Sequence, residues 1–122
     1  MKRRIELQPD IDNALNLQDP QMYRCRVVGY LLERSLLVIE ISRDTPLFYA
    51  VFPDVHHYDG TFLWQGAELR VADRDEQFEY MLDKSIVASL GMLFIFKGID
   101  SEVHVLGGDW IAIFEELPDR FK

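Results

Sequence analysis

One cysteine, Cys25, is all the thiol chemistry in this sequence. It excludes an internal disulfide and any zinc cluster built on several cysteines, and the missing paired framework points to a reducing compartment, the cytoplasm. Positive charge is also scarce. Lys plus Arg number 13 against 21 Asp plus Glu, a net charge of −8. That balance works against nucleic-acid backbones and anionic membrane surfaces and leaves room for a basic protein partner. The shortage is uneven, because residues 1–45 carry seven basic and seven acidic side chains while residues 46–122 carry six and fourteen.

Long apolar runs are missing too. The longest, Ser85 to Phe96, has 12 residues broken by Gly91, and a helical membrane span needs about 18 or more. The opening residues are basic with no apolar stretch behind them, so they do not read as a signal peptide. No Gly-x-x-x-x-Gly-Lys-Ser/Thr, Gly-x-Gly-x-x-Gly, Gly-x-Ser-x-Gly or His-Glu-x-x-His pattern occurs, which argues against the common nucleotide, serine-hydrolase and zinc-protease designs. The acidic run from Asp73 fails as a calcium loop, since Phe78 stands where glycine is needed and Lys84 where the bidentate glutamate belongs. No internal repeat or linker divides the chain, so residues 1–122 are expected to form a single domain.

What is present is a globular composition with 48% hydrophobic residues. Residues 1–21 read as a polar lead-in, with Ile11, Ala14 and Leu15 spaced for a short helix. From Met22 the pattern turns to period two. Tyr23, Cys25 and Val27 alternate with Arg24, Arg26 and Val28, and a second run from Leu36 to Ser42 predicts the partner strand of a hairpin. Leu47 to Phe52 is continuously apolar, as a central strand buried on both faces would be. Asp59-Gly60 marks a turn, and Gln65-Gly66 a bulge or bend. Asp73 with Glu76 suits a helix start, Phe78, Met81, Leu82, Ile86 and Leu90 recur at helical spacing, and Gly91 suits a left-handed stop. These predict a helix over about 74–90. Met92–Lys97, Glu102–Leu106 and Trp110–Glu115 read as a meander. The fold class is therefore α+β: a mainly antiparallel sheet of six or seven short strands with one amphipathic helix packed on one face.

Two sets of residues are candidates for function. Pro53–Gly60 gathers Asp54, His56, His57 and Asp59, and with His104 on a late strand this group could serve a metal-assisted hydrolase or other small-molecule enzyme. Asp54, His56 and His104 would be the metal ligands, because a catalytic zinc site takes three from the protein. The adjacent histidines of an extended segment point to opposite sides and cannot both bind one ion. The second set is aromatic. Tyr58, Phe62 and Trp64, with His57, are candidate partner-binding residues, since exposed aromatics dominate interfaces. Cys25 is expected to be a buried hydrophobe, with Arg24 and Arg26 on the opposite side of its strand. No catalytic motif supports an enzyme and no cofactor is implied. The leading expectation is a cytoplasmic binding or regulatory module acting through a protein surface, by self-association, most simply a homodimer, or with a basic partner.

Overall fold

The computed structural model describes residues 2–87 and 91–117. Alternation between core and solvent generates ten strands: β1 (Lys2–Glu6), β2 (Arg24–Leu31), β3 (Leu36–Arg43), β4 (Thr45–Phe52), β5 (His57–Asp59), β6 (Leu63–Gln65), β7 (Glu68–Val71), β8 (Met92–Lys97), β9 (Glu102–Gly107) and β10 (Trp110–Phe114). The helix α1 (Arg74–Asp83) lies between β7 and β8 in the chain. All pairings are antiparallel, in a six-stranded sheet ordered β1-β10-β4-β3-β2-β6 and a four-stranded sheet ordered β5-β9-β8-β7. The fold class is α+β, as expected from the patterning, with more strands than the six or seven anticipated. No helix among the described residues is long and apolar enough to cross a membrane.

The two sheets share one core. Leu37, Ile39, Ile41, Ala50 and Phe52 from the larger sheet meet Leu69, Phe94, Phe96, Val103 and Val105 from the smaller. Phe52 presents its ring edge-on to Phe94 at 5.3 Å and to Phe96 at 6.1 Å, and Trp64 meets Phe96 at 5.2 Å. Each fully buried aromatic of this kind stabilises the fold by about 1.5–3 kcal/mol through area alone. The β2–β3 hairpin forms as expected, with a bulge between Val27 and Gly29 and a tight turn closed by Ser35 in the left-handed region. β4 is central, between β10 and β3, although burial on both faces is confined to its second half, Ala50–Phe52.

Five expectations about these elements need correction. The polar lead-in contains a strand, β1, paired along its length with β10. The short helix expected near Ile11, Ala14 and Leu15 is absent: Asp10, Asn13, Asn16 and Asp19 all adopt positive φ, which breaks a right-handed helix at every turn. The segment instead runs along the open edge of β7, with Val71 N–H donating to the Ile11 carbonyl at 2.7 Å and Ala14 N–H to the Leu69 carbonyl at 2.6 Å. The expected meander of the last three strands is split, because β10 crosses to the larger sheet and inserts between β1 and β4.

The helix is also shorter than 74–90. Its start is as anticipated: the Asp73 carboxylate accepts the Glu76 N–H at 2.8 Å. It stops at Asp83 because Ser85 turns left-handed, with Ser85 N–H bonding to Leu82 and Ile86 N–H reaching back to Met81 at 2.8 Å, the bond pattern of a Schellman stop. Residues 84–87 are thus outside the helix, and 88–90, including Leu90, lie outside the described residues. Tyr80, Met81 and Ile86 pack on Ala72, Leu93, Ile95 and Leu106 of the smaller sheet's outer face, while Phe78 and Leu82 are turned to solvent. Gly91 has a different task from the expected helix stop. A Cβ there would sit 1.6 Å from the Gly107 carbonyl oxygen, so only glycine lets the chain re-enter the sheet beside β9.

Gly91→Ala is accordingly expected to cost about 3 kcal/mol or more, as backbone overpacking does, and Asp73→Ala about 1 kcal/mol. Urea unfolding of both variants checks the ranking. A milder effect at Gly91 than at Asp73 would contradict the close approach.

Candidate functional site

The Pro53–Gly60 segment links the sheets, and its alternation sends neighbouring side chains to different places. Asp54 and His56 line a shallow pocket of about 340 Å³ with Gly91, Gly107, Gly108 and Asp109. His57 and Asp59, on β5, face outward toward α1. His104 lies across from Asp59 on β9, with Tyr80 stacked on its ring at 4.7 Å. The structure therefore separates His104 from Asp54 and His56, and among the described residues no group of three His, Cys, Asp or Glu side chains is spaced to hold a metal ion.

Beneath α1 the polar groups instead satisfy one another. His57 Nε2 and the Tyr80 hydroxyl share a hydrogen bond of 2.9 Å, and the same hydroxyl donates to Asp59 at 3.5 Å. Lys84 pairs with Asp59 at 3.2 Å, and Arg70 grips Glu76 through two contacts of 2.7 and 2.6 Å. Hydrogen bonding from Lys84 and Arg70 holds the Asp59 and Glu76 carboxyls below the ordinary carboxylate range. Burial, reinforced by Asp59, pushes the Tyr80 phenol up to about 12, so it stays a neutral hydrogen-bonding group. This network docks a helix that has no fully buried residue of its own.

The aromatic candidates divide. Tyr58 and Phe62 stack face to face with ring centroids 5.7 Å apart, the Tyr58 hydroxyl bonds to the Thr61 carbonyl, and Phe62 remains 67% exposed. Together with His57 they line an open, mainly apolar groove of about 360 Å³ whose other walls are Val27, Tyr30, Leu37, Val55 and His56. Trp64 does not belong to this surface. It is buried, its indole N–H donates to the Gly66 carbonyl at 2.9 Å, and its ring supports Phe96. Cys25 is fully buried, and burial pushes its thiol up to about 12, which leaves it unreactive.

Sequence reasoning missed Tyr30, which rims the groove with its hydroxyl on the Val55 carbonyl at 3.2 Å. It also missed the outward side of α1. Phe78 and Leu82 are each 63% exposed. Asp75, Glu79 and Asp83 stand beside them at four-residue intervals, and among the described residues none of the three carboxylates has a cation within ion-pair distance. The spacing of both rows was visible, but a helix extended to residue 90 assigned Phe78 and Leu82 to the core.

No known protein family, no curated protein and no solved structure matches the chain. The functional reading therefore rests on the chemistry of these surfaces.

His104 supplies a pH dependence. Burial lowers its pKa below the ordinary 6.5, with Lys84 and Arg70 adding to the effect and Glu102 and Asp59 opposing it. As pH falls through about 6.5 the unfolded chain takes up a proton that the folded ring resists, so this share of stability is present above that pH and is lost below it. Urea midpoints are expected to fall between about pH 7.5 and 5.5, a window above the carboxylate titrations, and to fall less in His104→Gln. An unchanged slope in the variant would remove His104 as the cause.

Proposed function

We propose that the protein is a non-enzymatic binding module that docks a basic partner protein through an apolar groove. The observation that carries this reading is the stacked Tyr58–Phe62 pair, which borders the groove and leaves Phe62 67% exposed. Stacking pre-orders both rings, so little side-chain freedom is lost when an apolar anchor of the partner settles between them and Tyr30. His57 belongs to the same wall and, through Tyr80, ties it to α1.

Charge selects the partner's sign. A net −8 chain repels a second copy of itself and draws a cationic protein. The ridge of Asp75, Glu79 and Asp83 concentrates that field beside exposed Phe78 and Leu82. Like charges four residues apart, and an acidic residue in the last helical turn, both oppose helix stability by a few tenths of a kcal/mol each. A basic, apolar partner relieves both. The single unpaired cysteine supports a cytoplasmic setting for this encounter.

The test uses a lysine-rich peptide with one central phenylalanine and its glutamate-for-lysine counterpart as probes. The basic probe is expected to bind, with affinity that falls as salt rises and weakens about tenfold or more in Phe62→Ala. Native mass spectrometry of the free protein is expected to give a monomer. Equal binding of both peptides, or indifference to Phe62→Ala, would overturn the proposal, and a dimer dispersed by Phe62→Ala would assign the groove to a second copy.

A further inference from the structure

The face of α1 turned away from the smaller sheet is built as two adjoining rows. At about 3.6 residues per turn, Arg74, Phe78 and Leu82 fall in one row and Asp75, Glu79 and Asp83 in the next, each spanning about 12 Å. All six residues are exposed, Phe78 and Leu82 at 63% each. The core does not use them. Tyr80, Met81 and Ile86 pack against the smaller sheet, and the Gln77 amide ties the helix to Gly91 and Leu93. The acidic row is equally unused within the chain. Lys84 pairs with Asp59 and Arg70 with Glu76, so that among the described residues no cation is within ion-pair distance of Asp75, Glu79 or Asp83. Three carboxylates against the single guanidinium of Arg74 leave this face negative.

We infer that this face docks a basic amphipathic helix of a partner protein, with the partner's apolar row seated on Phe78 and Leu82 and its Lys or Arg row against Asp75, Glu79 and Asp83. Shape and charge together choose this occupant. Phe78 and Leu82 form a four-residue ridge on a convex rod, and such a ridge packs into the groove between the rows of a second helix at an axis separation of about 8–10 Å. An extended strand, with its period of two, has no matching groove. Cations spaced four residues apart on the partner meet carboxylates at the same interval. A second copy of α1 would instead add three more carboxylates to a face already in excess, and an anionic membrane surface is repelled for the same reason. The inference rests on the groove proposal only for the sign of the partner's charge. It lies on a different element, since no residue of α1 lines the groove.

The experiment titrates the full chain with a peptide of about 14 residues, made of leucine and lysine in matching four-residue rows, and with a scrambled peptide of the same composition. Calorimetry reads affinity and far-ultraviolet circular dichroism reads helix formation. The patterned peptide is expected to bind, to gain helix on binding and to weaken as salt rises, with the scrambled peptide at least about tenfold weaker. Phe78→Ala combined with Leu82→Ala should weaken the patterned peptide about tenfold or more. Glu79→Gln combined with Asp83→Asn should weaken it about fivefold and flatten the salt dependence. This second pair removes like-charge repulsion near the helix end, so its urea midpoint should stay level or rise, and lost binding is then not lost folding. Phe62→Ala should leave the titration unchanged, which separates this face from the groove. Equal binding of the two peptides, or indifference to both α1 pairs, would overturn the inference. Binding that depends on Phe62 and not on α1 would overturn it in favour of the groove, and a dimer dispersed by the Phe78 and Leu82 pair would overturn it in favour of a second copy.

Discussion

Phe52 is the contact on which the rest of the molecule depends. Ten strands of three to eight residues cannot stand as isolated ribbons, and neither sheet has a second layer able to bury its inner face except the other sheet. Phe52 sits at the end of the central strand β4 and meets Phe94 and Phe96 across the gap, so it fixes the separation of the sheets and the position of β8 at once. Trp64 does the same from the β6 edge. The groove bordered by Tyr58 and Phe62 exists because the chain must pass from β4 to β5, and so from one sheet to the other, directly after Phe52. The feature proposed for binding is thus a by-product of the core contact that holds the two layers apart.

The helix follows a different logic. It covers the smaller sheet with few apolar contacts and many polar ones. Gln77 bridges the Gly91 carbonyl and the Leu93 N–H, Arg70 holds Glu76, Lys84 holds Asp59, and His57 holds Tyr80. Partly exposed ion pairs of this type contribute little individually. What they supply is orientation. They turn Gln77 and Tyr80 inward and so oblige Phe78 and Leu82 to face outward, although these are the more hydrophobic side chains. The exposure of Phe78 and Leu82 is therefore set by polar contacts on the inner side of the helix.

The parts of the fold legible in the sequence were those carried by local signals. The β2–β3 hairpin, the Asp73 cap and the strand at 92–97 follow from alternation and capping chemistry. Their failures share a cause. β1 has only Ile5 to suggest a strand, and the pairing that makes it one comes from β10, more than a hundred residues away. Glycine is the usual left-handed residue and so predicts a helix end at Gly91, yet Ser85 takes that conformation and Gly91 is needed for close passage past Gly107. At the site, period two foretold that His56 would join Asp54 while His57 turns to Tyr80, although both residues also border the groove. It could not foretell that Trp64 would be used inside the core while Phe62, in the bend just before the same strand, would remain outside.

Charge is distributed with the same separation of layers. The alternation that buries Cys25 sends Arg24 and Arg26 to the outer face of the larger sheet, whereas the acidic ridge of α1 lies over the outer face of the smaller one. On the larger sheet Glu40 neutralises Arg26, whereas the acidic row of α1 has no such partner among the described residues. For the basic partner proposed above, the acidic row on α1 would favour approach from the helix side, so the encounter would be oriented before contact. Separate layers keep the arginine row of β2 and the acidic row of α1 from pairing with one another, which a single layer with both rows on one face could not do.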